Sequence, residues 1–500
     1  MPDDPKPSGA NAEADASSPS TPGSSGGFVL AATILASAMA FIDGSIVTIA
    51  LPAIQAEFGA ELASLQWVVN GYTLMLGALL LAGGGLGDRV GRRRIFVAGL
   101  ILFTAASILC AAAPTIELLI AGRVAQGTGA AALVPQSLAI IAATFPREVR
   151  GRAIGTWAAA SAVTTALGPP LGGFLIDSWS WRAAFWINIP LAAGALWLTL
   201  RYIPENRDDA ATGPIDWTGT AVAVLSFGAL TVGLTWLTEA DGNRALALLA
   251  MATGGLGLAL FVAVELRAAN PIMPLAPFRS RTFTGANVVT LFLYGALTGV
   301  LFLLPFELIG RRGMSATAVG LTLLPLGLII GLFSRPAGAL ADRFGPRLFL
   351  AAGSAVVAAA CFVLALGLES FWRGAVLPVI LLSAGMAVAV SPLTTAVMNS
   401  APDGQSGAAS GINNAASRLA GLLAVAVLGA LAEHVFRRGA PGGSFAALAS
   451  AGETTPAAMQ AAFLAAYSVS MAVAGCWAAI AAIAAFVSLR EAGPARAQSL

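Results

Sequence analysis

The sequence predicts an all-α membrane protein of 14 transmembrane helices, on three observations. Of its 500 residues, 57% are hydrophobic and only 10% are charged, with a mean hydropathy of +0.81. A soluble globule carries about a quarter charged residues, so this chain lacks the polar surface to cover itself in water. Its apolar residues fall into runs of about 20, the length at which a helix crosses a bilayer. The charges gather in the short gaps between the runs, together with Gly and Pro.

In chain order the first six spans are 28–51, 65–87, 95–113, 116–144, 153–175 and 184–203, and a polar stretch at 204–216 interrupts them. Spans 217–237 and 245–266 follow, then a linker holding Asn270, Pro271 and Pro274. The last six are 284–308, 317–335, 348–368, 374–400, 406–431 and 456–489, the final one long enough to include a tilted or interfacial turn. Hydropathy alone also admits twelve spans. Residues 1–27 are rich in Pro, Ser, Ala and Gly and lack a basic region before a short apolar core. They read as a disordered cytoplasmic tail before an uncleaved first span, not as a signal peptide. The expected organisation is this tail, an amino-terminal six-helix bundle at 28–203, a linker with two helices at 204–283, a carboxy-terminal six-helix bundle at 284–489 and a tail at 490–500.

Arginine placement orients the chain. With the amino terminus inside, 16 arginines fall in cytoplasmic loops and tails and seven on the opposite side. Positive charge is retained on the cytoplasmic side, so both termini are expected there. Cys110, Cys361 and Cys476 sit in separate apolar runs without metal-ligand spacing, which predicts packing residues and no metal site.

A repeat divides the chain. Gly84, Leu86, Asp88, Arg89, Gly91 and Arg93 recur as Gly338, Leu340, Asp342, Arg343, Gly345 and Arg347, 254 residues later, each time between two apolar runs. Two related halves with an insertion between them follow. Gly at the turn reverses the chain and Asp accepts hydrogen bonds from Arg or a helix start. The loops therefore read either as a cytoplasmic gate, formed by Gly84, Asp88, Arg89, Gly91, Arg92, Asp342, Arg343 and Arg347, or as anchors of topology alone.

The pattern Gly-x-Leu-x-Asp-Arg-x-Gly-Arg-Arg at this position resembles the signature loop of the major facilitator superfamily. Further motifs narrow the resemblance. Asp43 followed by Ala50, Leu51 and Pro52 is similar to the first-helix motif of drug:proton antiporters. Arg123, Gln126, Gly127 and Gly129 resemble their buried-arginine motif, and Gly168, Pro169, Gly172 and Gly173 their antiporter motif. Trp181, Arg182, Phe185, Asn188 and Pro190, with Asp216, Trp217 and Gly219, look like the 14-helix branch. The resemblance spans roughly residues 28–490. It implies a major facilitator fold of two six-helix bundles plus two extra central helices, and a monomer in a bacterial inner membrane. It also implies a proton gradient in place of a cofactor, small-molecule cargo and protons as partners, and a kink at Gly168 and Pro169 that seals the cavity against proton leak.

Charged groups inside a bilayer are costly and mark function by default. In the amino-terminal half only Asp43 and Arg123 lie deep. Asp43 is nine residues from Pro52 and Arg123 seven from Ile116, about 13 Å and 10 Å below the same face at 1.5 Å per residue. They are level to within a turn. Asp43 is the candidate proton carrier, because burial and a nearby cation move a carboxyl's affinity for protons in opposite directions. The other reading is a permanent Asp43–Arg123 pair that orders the bundle. Two prolines explain a bend at Gly168, Pro169 and Pro170, with or without a coupling role. Asn70, Gln126, Tyr294, Glu307 and Arg418 are candidates for a substrate cavity. Glu307 also fits an outer-loop role, and Asn70 also fits a bond to a neighbouring helix. Arg418 has no acid in its own span and requires a partner, water, a lipid headgroup or an anionic cargo.

These features favour a proton-coupled exporter of amphiphilic or drug-like molecules. A transporter of an anionic or zwitterionic lipid or metabolite is the alternative. A polytopic enzyme lacks support, since HExxH and a nucleotide-binding Gly-Lys-Ser do not occur, and the GxSxG match at Gly23–Gly27 falls in the Ser- and Gly-rich tail and forms no nucleophile elbow. Nothing in the sequence points to nucleic acid.

Overall fold

A computed structural model describes residues 25–207, 216–237, 243–268, 271, 273–400, 406–447 and 456–489. The tails at 1–24 and 490–500 and the linker residue Asn270 lie outside the described residues. Among the described residues, 14 helices are long and apolar enough to cross a membrane. The amino-terminal six are α1 (Ser25–Phe58), α2 (Leu62–Val90), α3 (Arg92–Ala111), α4 (Ile116–Thr144), α5 (Arg147–Ser178) and α6 (Ala183–Tyr202). Two more, α7 (Trp217–Trp236) and α8 (Arg244–Glu265), form a hairpin. The last six are α9 (Arg281–Arg311), α10 (Ala316–Phe344), α11 (Pro346–Ala365), α12 (Trp372–Asn399), α13 (Ser406–Gly439) and α14 (Ala457–Ser488). The hairpin consists of two full-length helices, which decides for fourteen spans over twelve.

Helix starts carry the caps their sequences supply. The Asp216 side chain accepts from the Gly219 N–H at 2.7 Å, Asn243 from the Ala245 N–H at 3.0 Å, and Ser315 from the Ala318 N–H at 3.2 Å. Each satisfies one of the amides that a first turn leaves unpaired.

Helices α1–α6 pack into one bundle and α9–α14 into a second. The two bundles meet along two seams, α2 against α13 and α5 against α10. Because α2 and α10 carry the two copies of the repeat, each seam joins the second helix of one half to the fifth of the other. That is the pattern a pseudo-two-fold axis generates. The repeat's turns also match in conformation. Gly91 and Gly345 have φ of +125° and +89°, a region that side chains disfavour. Helix α7 lies outside the bundles, against both α2 and α13.

The halves are clamped at the end of the molecule where α1 finishes, termed here the far face. Asp177 at the end of α5 accepts from the Ala316 and Thr317 N–H groups at the start of α10, at 3.0 and 2.7 Å, and from the Thr317 hydroxyl at 2.6 Å. Gln66 on α2 donates to the Val425 and Ala426 carbonyls of α13 at 2.7 and 3.2 Å. Arg437 approaches Glu61 to 3.7 Å. Backbones come close enough to exclude side chains: a Cβ on Gly173 would strike the Ala316 carbonyl, and one on Gly320 the Pro169 carbonyl. Small residues permit such approach between membrane helices.

Toward the near face, where α1 begins, the α5/α10 seam parts. Gly155 and Gly331 have open space around a built Cβ, and Leu332 and Phe333 are exposed. The α2/α13 seam stays in contact further inward, with Gly77 against Arg418 and Gly411 against Leu81. Midway along α1, Gly44 is exposed with nothing within 4 Å of a built Cβ. A cleft therefore runs between the halves from the near face to the middle of α1.

Candidate functional site

Asp43 and Arg123, the two deep charges of the amino-terminal half, are 0% and 1% exposed and form an ion pair through Asp43 Oδ2. Helical spacing builds the rest of the cluster. Gln126, three residues after Arg123 on α4, lies on the same face. Its carbonyl oxygen accepts from Arg123, and its amide donates to Asp43 Oδ1 at 2.7 Å and to the Ser107 hydroxyl of α3 at 2.8 Å. Asn188 of α6 donates to Ser107 at 3.1 Å and approaches Asp43 Oδ1 at 3.5 Å. Arg123 Nε donates to the Val68 carbonyl of α2 at 2.9 Å. Five helices thus share one hydrogen-bonded network around this carboxylate and guanidinium, α3 joining it through Gln126 and Asn188.

Aromatic rings close the cluster. The Arg123 guanidinium lies 4.4 Å from the Tyr72 ring centroid and 5.8 Å from that of Phe185. The Tyr72 hydroxyl donates to the Ala40 carbonyl at 3.2 Å, which pins the ring against α1. The exposed Gly44, the next residue after Asp43, lies about 100° around α1 from this sealed group. The carboxylate is therefore shielded, but it stands on the helix that lines the cleft.

The structure distributes the candidate cavity residues unevenly. Gln126 is fully enclosed with Asp43 instead of lining the cleft, because the three-residue spacing turns it under Arg123. Asn70 does not join Asp43. It lies on the α2 face shared with Gln66 and Gly77, toward α13, and both its amide atoms are buried without a hydrogen-bond partner. Glu307 sits in a π-helical turn at the far end of α9. Arg311 holds it at 2.6 Å and Arg312 at 3.0 Å, and Arg311 also reaches Glu369 at 3.0 Å. That arrangement is a closed ionic cluster remote from Asp43, formed because the helix brings Arg311 onto the Glu307 face four residues on. Tyr294 and Arg418 are half-buried, on α9 and α13. The Arg418 guanidinium lies within electrostatic reach of both Tyr72 and Tyr294, between the halves.

The near-face loops are tied within their own halves. Asp88 pairs with Arg92 at 2.8 Å, and Arg92 and Arg93 donate backbone N–H groups to Asn206 and Glu205 after α6. Arg89 bonds the Gly85 carbonyl at 3.0 Å. A Cβ on Gly91 would strike the Glu205 carboxylate. In the second copy Asp342 is exposed, Arg343 covers Phe344, and Arg347 lies 4.0 Å from the Phe486 ring centroid of α14. Gly84 faces Pro135 of α4.

The Gly168–Gly173 segment of α5, inside a continuous helix, is wedged between two helices. A Cβ on Gly168 would strike Ser45 of α1, one on Gly172 would press on Ile46, and Gly173 and Pro169 abut α10. The residues missed from sequence are Ser107 and Asp177. Ser107 is an ordinary polar residue in an apolar run. Asp177 precedes a loop, and only the fold brings the start of α10 to it.

Comparison with known proteins agrees with this architecture. Residues 33–425 match the Major Facilitator Superfamily. The chain is 35% identical over 406 residues to multidrug resistance protein Stp of Mycobacterium tuberculosis, covering 80% of this chain and 75% of that protein. It is 33% identical over 405 residues to the tetracenomycin C resistance and export protein of Streptomyces glaucescens, covering 79% and 73%. Among solved structures, a bacterial homolog of the human lysosomal transporter Spinster, inward-facing and unoccupied, superposes with a TM-score of 0.70 at 18% identity. That match covers 94% of this chain and 98% of the other. The xylose transporter XylE from E. coli, inward open, gives 0.60 at 16% identity over 93% and 96%. On the motif, the two pseudo-symmetric bundles and these matches, the chain belongs to the major facilitator superfamily, whose members are transporters and not enzymes, and it is a multi-pass membrane protein.

Proposed function

We propose that the protein exports amphiphilic, drug-like small molecules in exchange for protons, by alternating exposure of a site between its halves. The observation that carries this reading is the Asp43–Arg123 pair, a charge pair fully buried in the wall of the cleft on the helices that would move. A charge buried without its counter-ion is costly, so parting Asp43 from Arg123 requires that the carboxylate be neutralised. Protonation from the far side neutralises Asp43 and loosens its hold on Arg123 and Gln126. Release to the near side restores the pair and the seal.

The arginine bias supports the near face as cytoplasmic, with both termini there, in a cell membrane of bacterial type. On that assignment the cleft is open inward. Transport by a monomer, with the proton gradient as the energy source, completes this reading. The names of the relatives, a multidrug resistance protein and a tetracenomycin C resistance and export protein, support drug-like cargo. The loops at Asp88 and Asp342 are then the inner gate, and the Gly168–Gly173 segment the outer seal.

Inside-out vesicles with an acid lumen and a pH-sensitive dye test this directly. A panel of cationic, neutral and anionic amphiphiles is added in turn, and a transported cargo collapses the gradient. In Asp43→Asn vesicles the collapse is expected to vanish. Equal collapse with and without Asp43 would overturn the coupling role.

A further inference from the structure

The strongly buried charges described in the two bundles have counter-ions: Arg123 with Asp43, Glu307 with Arg311 and Arg312, and Glu433 with Arg437 at 2.7 Å. The half-buried Arg418, mid-helix between the halves, has none. It lies 12 residues into α13, about 18 Å along the helix at 1.5 Å per residue. Among the described residues it has no hydrogen-bond or ion-pair partner. Its Cβ packs 3.1 Å from the built Cβ position of Gly77, so it bridges the halves at the α2/α13 seam.

Two polar groups accompany it. Asn70, two turns along the same face of α2, is 0% exposed with both amide atoms unpartnered. Such burial without partners costs about 1–3 kcal/mol and is relieved by a ligand that supplies both a donor and an acceptor. Tyr294 on α9 is half-buried and lies within electrostatic reach of Arg418.

We propose that Arg418 anchors a subsite for a monoanionic carboxylate carried on an apolar body, with Tyr294 as second donor and Asn70 meeting a polar group further along the cargo. A guanidinium matches a carboxylate with two parallel hydrogen bonds. One positive charge is neutralised by one monoanion. A phosphate dianion would leave net negative charge in a low-dielectric cleft, and a cation would face uncompensated repulsion from Arg418. This deepens the transport reading above and rests on it for the word cargo.

Equilibrium binding, without any gradient, tests it on the full chain in nanodiscs of neutral lipid. The probes are dansyl-aminoundecanoate, its methyl ester and a trimethylammonium analogue of equal length. The carboxylate is expected to bind about tenfold tighter than the ester, a difference of about 1.4 kcal/mol. Arg418→Gln should remove that preference while leaving ester binding unchanged, and Arg418→Lys should retain part of it. Tyr294→Phe should reduce the preference by about threefold, which gives a reading even if Arg418→Gln folds poorly. Equal binding of carboxylate and ester by the unaltered protein would overturn the proposal. So would equal weakening of all three probes in Arg418→Gln, or displacement of the carboxylate by lysophosphatidate more readily than by a fatty acid of matched chain length. Because no proton movement is measured, Arg418-dependent preference with failed antiport would refute only the coupling. Intact antiport without carboxylate preference would refute only the subsite.

Discussion

Tyr72 lies flat over the Arg123 guanidinium at 4.4 Å while its hydroxyl holds the Ala40 carbonyl at 3.2 Å. One side chain thereby shields the ion pair and fastens α2 to α1. Tyr72→Phe keeps the ring and loses one hydrogen bond, with an expected cost of about 1 kcal/mol in thermal unfolding. Tyr72→Ala removes the cover as well, and is expected to raise proton leak through reconstituted liposomes severalfold. Leak unchanged from the unaltered protein would show that the ring is not the seal.

Asp43→Asn leaves Arg123 charged with only neutral partners. Breaking a buried pair on one side costs about 3–5 kcal/mol, so the single variant is expected to melt well below the unaltered protein. The double variant Asp43→Asn/Arg123→Gln should recover a large part of that loss without recovering gradient-driven transport. Scanning calorimetry of the four proteins measures the coupling, and additive effects would contradict a direct pair.

Asp177 caps a helix belonging to the other half, so its bonds exist only while the far face is closed. Asp177→Ala is expected to weaken that closure by about 0.5–2 kcal/mol, the usual range for a lost cap. Spin labels at positions 180 and 314 should show a longer-distance population about tenfold larger. An unchanged distance distribution would remove Asp177 from the gate.

Gly173 and Gly320 face carbonyls across the α5/α10 seam. Ala at either position is expected to cost about 1–3 kcal/mol of far-face closure, as overpacking does. Cargo binding should survive while turnover falls, and loss of both together would indicate general damage.

Glu307 is gripped by two arginines at the far end of α9. Glu307→Gln should lower thermal stability by about 3 kcal/mol and leave cargo affinity within about twofold for cationic and anionic probes alike. Selective loss of cationic cargo would restore it to the binding site.

Apolar run length made the helix count readable, because few residues other than those of a bilayer-spanning helix form such runs. Helix ends were less readable. The span at 317–335 belongs to a helix running Ala316–Phe344, and that at 406–431 to one running Ser406–Gly439. Arg343 and Arg437 lower hydropathy at those ends without interrupting backbone hydrogen bonding. The closeness of Asp43 and Arg123 was readable because charges in apolar runs are rare, whereas Gln126, an uncharged residue expected in the cavity, turned out to be enclosed with them. Asn70 shows where depth reasoning stops: rise per residue sets height along a helix but not the direction a side chain faces. Ser107 left no mark, since a hydroxyl in a helix can always bond its own backbone.

Helix α7 covers one seam between the halves and leaves its pseudo-symmetric counterpart bare. The α2/α13 flank is walled from the bilayer, whereas the α5/α10 flank parts toward the near face with Leu332 and Phe333 outermost. A molecule dissolved in the lipid therefore meets a shut side and a slotted one. Among the described residues, the hairpin thus makes two pseudo-symmetric flanks unequal in what they present to the bilayer.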